Sequence, residues 1–243
     1  MADPQPSRYT QEQKEEIRRQ YQAMKAQQVA AASTAKTSSG KADEEGMLKA
    51  AEAGDTAALK RFLEAEQDVN VAGGRQLWTA LHRACARGRL EAAELLLQQP
   101  HVDVNVQDRD GWTPLHYACH YKRDSIVQAL LRHPDIGVNV RSGNELTPLH
   151  CACNTGHVDT VQALLAHGDV DVNARDAPAW SPLSCGRRTP LHNACFKGQT
   201  AVVRLLLGNP DIDLSIPDAE GCTAKDVAEA RTRSEILQLL EAR

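Results

Sequence analysis

Apolar and polar positions recur along residues 47–243 with a period of about 34 residues. Each period has two segments with apolar residues at helical spacing, and the second segment contains an adjacent leucine pair. A short stretch that alternates valine with polar residues, such as 103–106, leads into the next period. The pattern predicts two helices and an exposed hairpin in each unit. The leucine pairs are Leu95-Leu96, Leu130-Leu131, Leu164-Leu165 and Leu205-Leu206.

A tetrapeptide marks the start of the first helix in four of these units. It reads Thr-Ala-Leu-His at residues 79–82 and Thr-Pro-Leu-His at 113–116, 147–150 and 189–192. A decayed copy follows at 223–226. Threonine caps helix N-termini well, and proline suits the first helical turn because its missing N–H would have no partner there. A fixed period of this length indicates stacked units with a long exposed face rather than one closed core.

These motifs resemble those of the ankyrin repeat family. The match is clearest in Asp108-x-x-Gly111-x-Thr113-Pro114-Leu115-His116-x-Ala118, which a leucine pair and Val138-Asn139 follow. The resemblance covers about residues 45–243. It implies an all-α-dominated repeat solenoid in which helix–turn–helix units carry β-hairpin fingers. We expect six repeats, at about 45–73, 74–107, 108–141, 142–175, 176–217 and 218–243.

Two segments depart from the repeat. Residues 1–43 form a separate region, with a helix-prone part at 11–32 and a polar, glycine-containing stretch at 33–45 that is typical of a flexible linker. The N-terminal segment is therefore expected to be helical or disordered, either exposed or docked on a partner or on this chain. Residues 44–243 are expected to form the repeat domain.

The second departure is an insertion in the fifth repeat. The third and fourth tetrapeptides are 42 residues apart, and the extra length lies in 177–187. This segment contains Trp180 and Leu183 on what should be an exposed finger. Three interpretations stay open: a binding element, a segment folded back on neighbouring fingers, or neutral loop length, which has a low entropic cost.

Composition narrows the function classes. The net charge of −4 gives no indication of binding to nucleic acid or an anionic membrane. No apolar run approaches the roughly 18–20 residues of a membrane span. We expect a monomer in the cytoplasm, with the nucleus as an alternative, and no cofactor. No known catalytic motif occurs in the 243 residues, so an enzyme is not expected.

The recurrent cysteines and histidines have structural interpretations. Cys85, Cys119, Cys153 and Cys195 share one repeat position, which predicts a column of buried, reduced thiols. A zinc site around Cys151 and Cys153 is the weaker alternative, because the repeat already explains most of its ligands. The resemblance implies that the tetrapeptide histidines tie hairpin to helix by hydrogen bonds, and a catalytic column is the alternative.

The resemblance also implies that partners contact the fingers and the concave surface of the first helices. The side chains expected there are enriched in aromatic and basic residues and include no carboxylate, which is typical of an interaction hot spot. Trp78 and Trp112 have a second interpretation, packing at the corner between hairpin and helix. The candidate protein-binding residues are Arg83, Arg87, Trp112, Tyr117, Tyr121, Trp180, Arg188, Phe196 and Lys197.

These observations predict an adaptor or scaffold that binds another protein, through a partner segment with acidic and apolar residues. The alternative is a regulatory or inhibitory subunit that occludes an enzyme or assembly factor. Three hairpin asparagines, each eight residues after a leucine, resemble targets of an asparaginyl hydroxylase, although they could simply shape the turn. They are Asn105, Asn139 and Asn173.

Overall fold

The structure, a computed structural model, describes residues 38–177 and 186–243. Contacts divide the chain into two units, Met1–Asp43 and Glu44–Arg243. Of the first unit only residues 38–43 are described. The helix-prone segment at 11–32 and residues 178–185 of the insertion, including Trp180, lie outside the described residues, so their predicted roles stay predictions.

The described residues contain twelve helices and one pair of short strands. In chain order they are α1 (Ser38–Ala53), α2 (Thr56–Glu64), β1 (Ala72–Gly73), β2 (Trp78–Thr79), α3 (Ala80–Arg87), α4 (Leu90–Leu97), α5 (Pro114–His120), α6 (Asp124–Leu131), α7 (Pro148–Thr155), α8 (Val158–Ala166), α9 (Pro190–Lys197), α10 (Thr200–Leu207), α11 (Ala224–Ala230) and α12 (Ser234–Glu241). First helices pack on first helices of adjacent units, and second helices on second helices. The predicted repeat fold is confirmed, while the division into six repeats stays a prediction.

The tetrapeptide forms a capping box at the N-terminus of each first helix from α3 to α11. The threonine hydroxyl accepts the N–H three residues later, and the side chain at that later position accepts the threonine N–H. Histidine fills the second role in four helices, and Asp226 fills it in α11. Two backbone donors that the helix leaves open are thereby paired. The predicted threonine caps are confirmed.

The core runs continuously through the stack. Leu115, Ala118 and Cys119 of α5 are fully buried, as predicted, and so is Leu130 of α6. The four column cysteines are buried and reduced, which confirms the interpretation as packed thiols. Each first helix contributes the same small and medium-sized side chains, so neighbouring units bury one another.

The fingers differ from the expected hairpins. Among the described residues, only β1 and β2 pair as strands, with Ala72 opposite Thr79. The later fingers are turns closed by two backbone bonds each, such as Asp108 N–H to the Trp112 carbonyl, 2.9 Å, and Gly111 N–H to the Asp108 carbonyl, 3.0 Å. The Asp108 carboxylate also accepts the N–H groups of Asp110 and Trp112, so side-chain bonds replace a longer ladder.

The expected linker over 33–45 is wrong from Ser38 onward, because α1 already begins there. Four of the five residues from 41 to 45 favour helix, and after Gly46 the helix continues into the buried Met47 and Leu48. Gly46 lies within this helix where an added Cβ would come 2.8 Å from the Phe62 ring. Packing of the helix therefore determines its conformation here, although the polar, glycine-containing composition favours a linker.

Candidate protein-binding surface

The surface of interest is made by three repeated positions on the first helices, here called the first-helix face. Its side chains are set by the 34-residue spacing and differ strongly in exposure. The positions are Arg83, Tyr117, Cys151 and Asn193; Ala86, His120, Asn154 and Phe196; and Arg87, Tyr121, Thr155 and Lys197. Cys151 is buried, and the Thr155 hydroxyl bonds back to helix carbonyls, so the middle of the face carries no charge.

Arginines at the N-terminal end of this face are already paired with carboxylates. Glu52 of α1 accepts from Arg83 at 3.1 Å and from Arg87 at 2.6 and 2.9 Å. Arg83 also lies 3.8 Å from Glu45. The hydrogen bond from Arg87 is the main cause that lowers the pKa of Glu52 below its ordinary value. The expectation of a face without carboxylates is therefore wrong at this end.

The 34-residue spacing also places Glu52 on the first-helix face, although the tetrapeptide does not mark its helix. The first unit lacks the tetrapeptide, so the repeat pattern alone does not place its first helix on the candidate face. Counting 34 residues back from Ala86 reaches Glu52 directly. The same spacing predicts contact, because equivalent positions of adjacent repeats lie side by side.

An aromatic cluster follows at α5. Trp78 and Trp112 pack on Tyr117, with ring centroids 4.7 and 5.0 Å apart, and His120 lies 4.9 Å from the Tyr121 ring. Contacts of this geometry stabilise the cluster beyond the burial of area. Both tryptophans are half-buried, which fits their interpretation as packing residues at the corner between finger and helix.

The Asp108 carboxylate fixes two members of this cluster by hydrogen bonds. Its Oδ2 accepts from the Tyr117 hydroxyl at 2.6 Å and from Trp78 Nε1 at 2.9 Å. Burial, together with this bond to a carboxylate, raises the pKa of Tyr117 well above its ordinary value. Tyr117 is only 8% exposed, so it supports the cluster, whereas Tyr121 is 45% exposed and available to a partner.

A groove of about 720 Å³ opens beside Tyr121. One wall is the finger at 107–112, and the other is the finger at 141–144. Its floor combines Tyr117, His120 and Tyr121. Charged side chains of both signs line the walls: Asp108, Asp110, Arg109 and Arg141. The groove can accept an apolar side chain on its aromatic floor while polar groups hold a peptide backbone at its rim.

A second aromatic site lies at the C-terminal end of the face. The Phe196 ring has the Arg231 guanidinium carbon at 3.9 Å from its centroid, that of Arg188 at 4.5 Å and the Lys197 Nζ at 5.9 Å. Arg188 is buried and lies 3.7 Å from Asp218. Sequence reasoning missed Arg231, although adding 34 to Lys197 reaches it.

The tetrapeptide histidines join one repeat to the next. Nδ1 of His116 accepts the Thr113 N–H, so Nε2 carries the proton and donates to the Leu146 carbonyl in the following finger at 2.8 Å. His82, His150 and His192 make the equivalent bonds at 3.0–3.1 Å. Burial lowers the pKa of His116 and of His150 to about 4. The predicted hydrogen-bonding role is confirmed.

The candidate hydroxylation residues also bridge repeats. Asn105 donates to the Asp135 carbonyl at 2.6 Å and accepts the Gly137 N–H at 2.7 Å. Asn139 and Asn173 form the same pair of bonds one repeat further on. These contacts give each asparagine a structural role, and hydroxylation stays a prediction.

A cluster of Asp124, His157 and Asp159 brings three potential metal ligands within 4.8 Å. However, Asp124 already accepts from the Thr160 hydroxyl at 2.7 Å and lies 2.8 Å from His157 Nδ1. These contacts connect α6 to α8, so we interpret the cluster as a structural cross-link.

Among helices of the described ranges, none is long and apolar enough to cross a lipid bilayer.

Stacked helix pairs with capped turns and an open side-chain face define a helical repeat scaffold. The family model for ankyrin repeats in three copies matches residues 47–142, 100–176 and 125–218, and these matches together extend from 47 to 218. The chain therefore belongs to the ankyrin repeat family, whose members are generally protein-interaction modules and typically non-catalytic.

Among solved structures, the chain is similar to the crystal structure of EF0377, an ankyrin repeat protein. The two are 27% identical with a TM-score of 0.72, over 82% of this chain and 97% of the other. Among curated proteins, none matches this sequence.

Proposed function

We propose that this chain is an adaptor or scaffold whose repeat domain, residues 44–243, binds a partner protein through the first-helix face and the fingers. The observation that supports this most strongly is the groove beside Tyr121. It combines an exposed aromatic side chain, a rigid aromatic floor and polar walls on two adjacent fingers. Such a composition is typical of the centre of a binding site.

Rigidity of the groove supports the same proposal. Tyr117 and Trp78 are held by Asp108, and the fingers on either side are bonded to each other through Gly143 N–H and the Asp110 carbonyl at 2.8 Å. A partner would therefore meet a surface that needs little ordering on binding, which favours affinity.

The test begins with affinity purification and mass spectrometry to identify a partner, and then measures its binding to purified protein. Tyr121→Ala should weaken binding by about 2 kcal/mol or more, roughly thirtyfold. Gln128→Ala, an exposed change on the second helix α6, is the matched control. Equal affinity of the two variants, with both folded by circular dichroism, would show that this face is not the site.

The same partner distinguishes the scaffold from the alternative. If it is an enzyme, its activity should be unchanged by the wild-type chain at saturating concentration. A fall in activity that Tyr121→Ala relieves would instead identify a regulatory or inhibitory subunit.

A further inference from the structure

The positive charges of the first-helix face are not equivalent. At its N-terminal end, Arg83 and Arg87 share the carboxylate of Glu52, with Glu45 also nearby. At its C-terminal end lies Lys197, and Arg231 occupies the equivalent position in the next repeat. Both are exposed, and neither forms an ion pair with any residue in the described ranges. The free cationic charge of the face is therefore concentrated beside Phe196.

Phe196 holds the Arg231 side chain in place in the unbound protein. At 3.9 Å from the ring centroid, the Arg231 guanidinium is placed for a cation–π contact. A guanidinium held over an aromatic ring keeps its N–H groups available at its edge for a carboxylate. The side chain also has less rotamer freedom left to lose on binding.

The buried pair of Arg188 and Asp218 places a second positive group beside the ring without adding net charge. The guanidinium carbon of Arg188 lies 4.5 Å from the ring centroid, and its Nε faces the carboxylate of Asp218. The 3.7 Å separation between Arg188 Nε and Asp218 Oδ2 is too long for a hydrogen bond, and both atoms are buried without another partner in the described structure. The pair supports the ring, while Arg231 and Lys197 face solvent.

We propose that Phe196, Lys197 and Arg231 form a second docking point that binds an Asp or Glu side chain of the partner protein. This proposal rests on the proposed function, and it assigns the acidic part of the partner segment to the C-terminal end of the face. The partner's apolar residue occupies the groove beside Tyr121. Charge complementarity decides the assignment, because the arginines at the other end are already neutralised by Glu52 and Glu45.

The probe is a phage-displayed library of random 12-residue peptides, selected on the full chain. Wild-type protein should select peptides enriched in Asp and Glu, and the double variant Arg231→Gln, Lys197→Gln should lose that enrichment. Arg83→Gln with Arg87→Gln removes the same charge from the other end and should retain it. Arg231→Glu should exchange the acidic preference for Lys or Arg.

One selected peptide, made synthetically, gives the quantitative result by fluorescence anisotropy. Its dissociation constant should rise at least tenfold in the Arg231, Lys197 double variant and less than twofold in the Arg83, Arg87 control. Added salt should weaken binding to wild type, since exposed charges are screened. Acidic enrichment that follows Arg83 and Arg87, or is absent from wild type, would overturn the inference.

Two further outcomes separate this inference from the proposed function. Peptides that depend on Tyr121 but not on Arg231 would leave the groove as the site and reject the acidic docking point. No selected peptide depending on either position would count against both. Sedimentation that shows wild-type self-association abolished by Arg231→Gln would identify a second copy of this chain as the occupant instead.

Discussion

Proton uptake by the buried tetrapeptide histidines should weaken the stack between pH 7 and pH 5. His150 has a pKa of about 4, lowered first by burial, and its Nε2 hydrogen bond to the Arg188 carbonyl does not compensate fully. An unfolded histidine has a pKa of about 6.5. Because the pKa of His150 is lower in the folded state, the unfolded chain takes up the proton first as the pH falls. The contribution of neutral His150 to stability is therefore present above pH 6.5 and is lost as the pH falls toward 4.

The magnitude follows from these two values. At pH 5 protonation of this one residue favours the unfolded chain by a factor of about 30, which corresponds to about 2 kcal/mol, whereas at pH 7 the effect is well below about 1 kcal/mol. His150 should therefore account for a loss of about 2 kcal/mol between the two pH values. His116 has the same pKa and should contribute a similar amount.

Asp176 acts in the opposite direction, so the whole protein is a poor readout. Burial raises its pKa to about 6, and its protonation on acidification therefore favours the folded state. The useful measurement is the difference between wild type and His150→Gln in urea unfolding at pH 7 and pH 5. Groups common to both proteins cancel in that comparison.

Wild type should lose about 2 kcal/mol more than His150→Gln on acidification. His101→Gln, which changes an exposed histidine on a turn, is the control and should follow wild type. Parallel losses in wild type and His150→Gln would refute the argument, because they would mean that His150 does not stay neutral in the folded protein.

Three other predictions concern stability and modification. Leu130→Ala should cost about 2–5 kcal/mol in urea unfolding, and Leu240→Ala should cost less, because Leu130 is completely buried whereas Leu240 of α12 keeps some exposure; equal losses would contradict the stacked core. Lys122→Gly should raise stability by up to about 1 kcal/mol, since Lys122 has a φ of 57° where three equivalent positions are Gly88, Gly156 and Gly198; a lower melting temperature would exclude backbone strain there. Intact mass spectrometry of protein from its native source should show one added oxygen on peptides with the hairpin asparagines, and its absence would count against modification at Asn105, Asn139 and Asn173.

Local chemistry explains how much of the fold could be predicted from sequence. The threonine caps, the buried Leu115 and Cys119 and the leucine pairs are all visible in the 34-residue period. Each is determined within one unit, because a cap involves residues three positions apart and a helix face follows a period of 3.6. Repetition then makes the stacked arrangement predictable as well.

The candidate site was only partly predictable. Tyr121 was expected at the surface and is exposed, but Tyr117, expected as an anchor, is held beneath it by Asp108. Arg231 was not expected at all and lies on Phe196. These outcomes depend on which side chains of adjacent units reach one another.

The sequence by itself determined the repeat, its caps and its buried column, because those depend on short-range spacing. Only the tertiary structure decided which charges on the face remain free. Glu52 neutralises Arg83 and Arg87 from the preceding unit, whereas Arg231 contacts Phe196 and has no carboxylate partner in the described residues. Ion pairs and ring contacts across repeats form at short distance between residues about 34 positions apart, and their geometry exists only once the units are stacked.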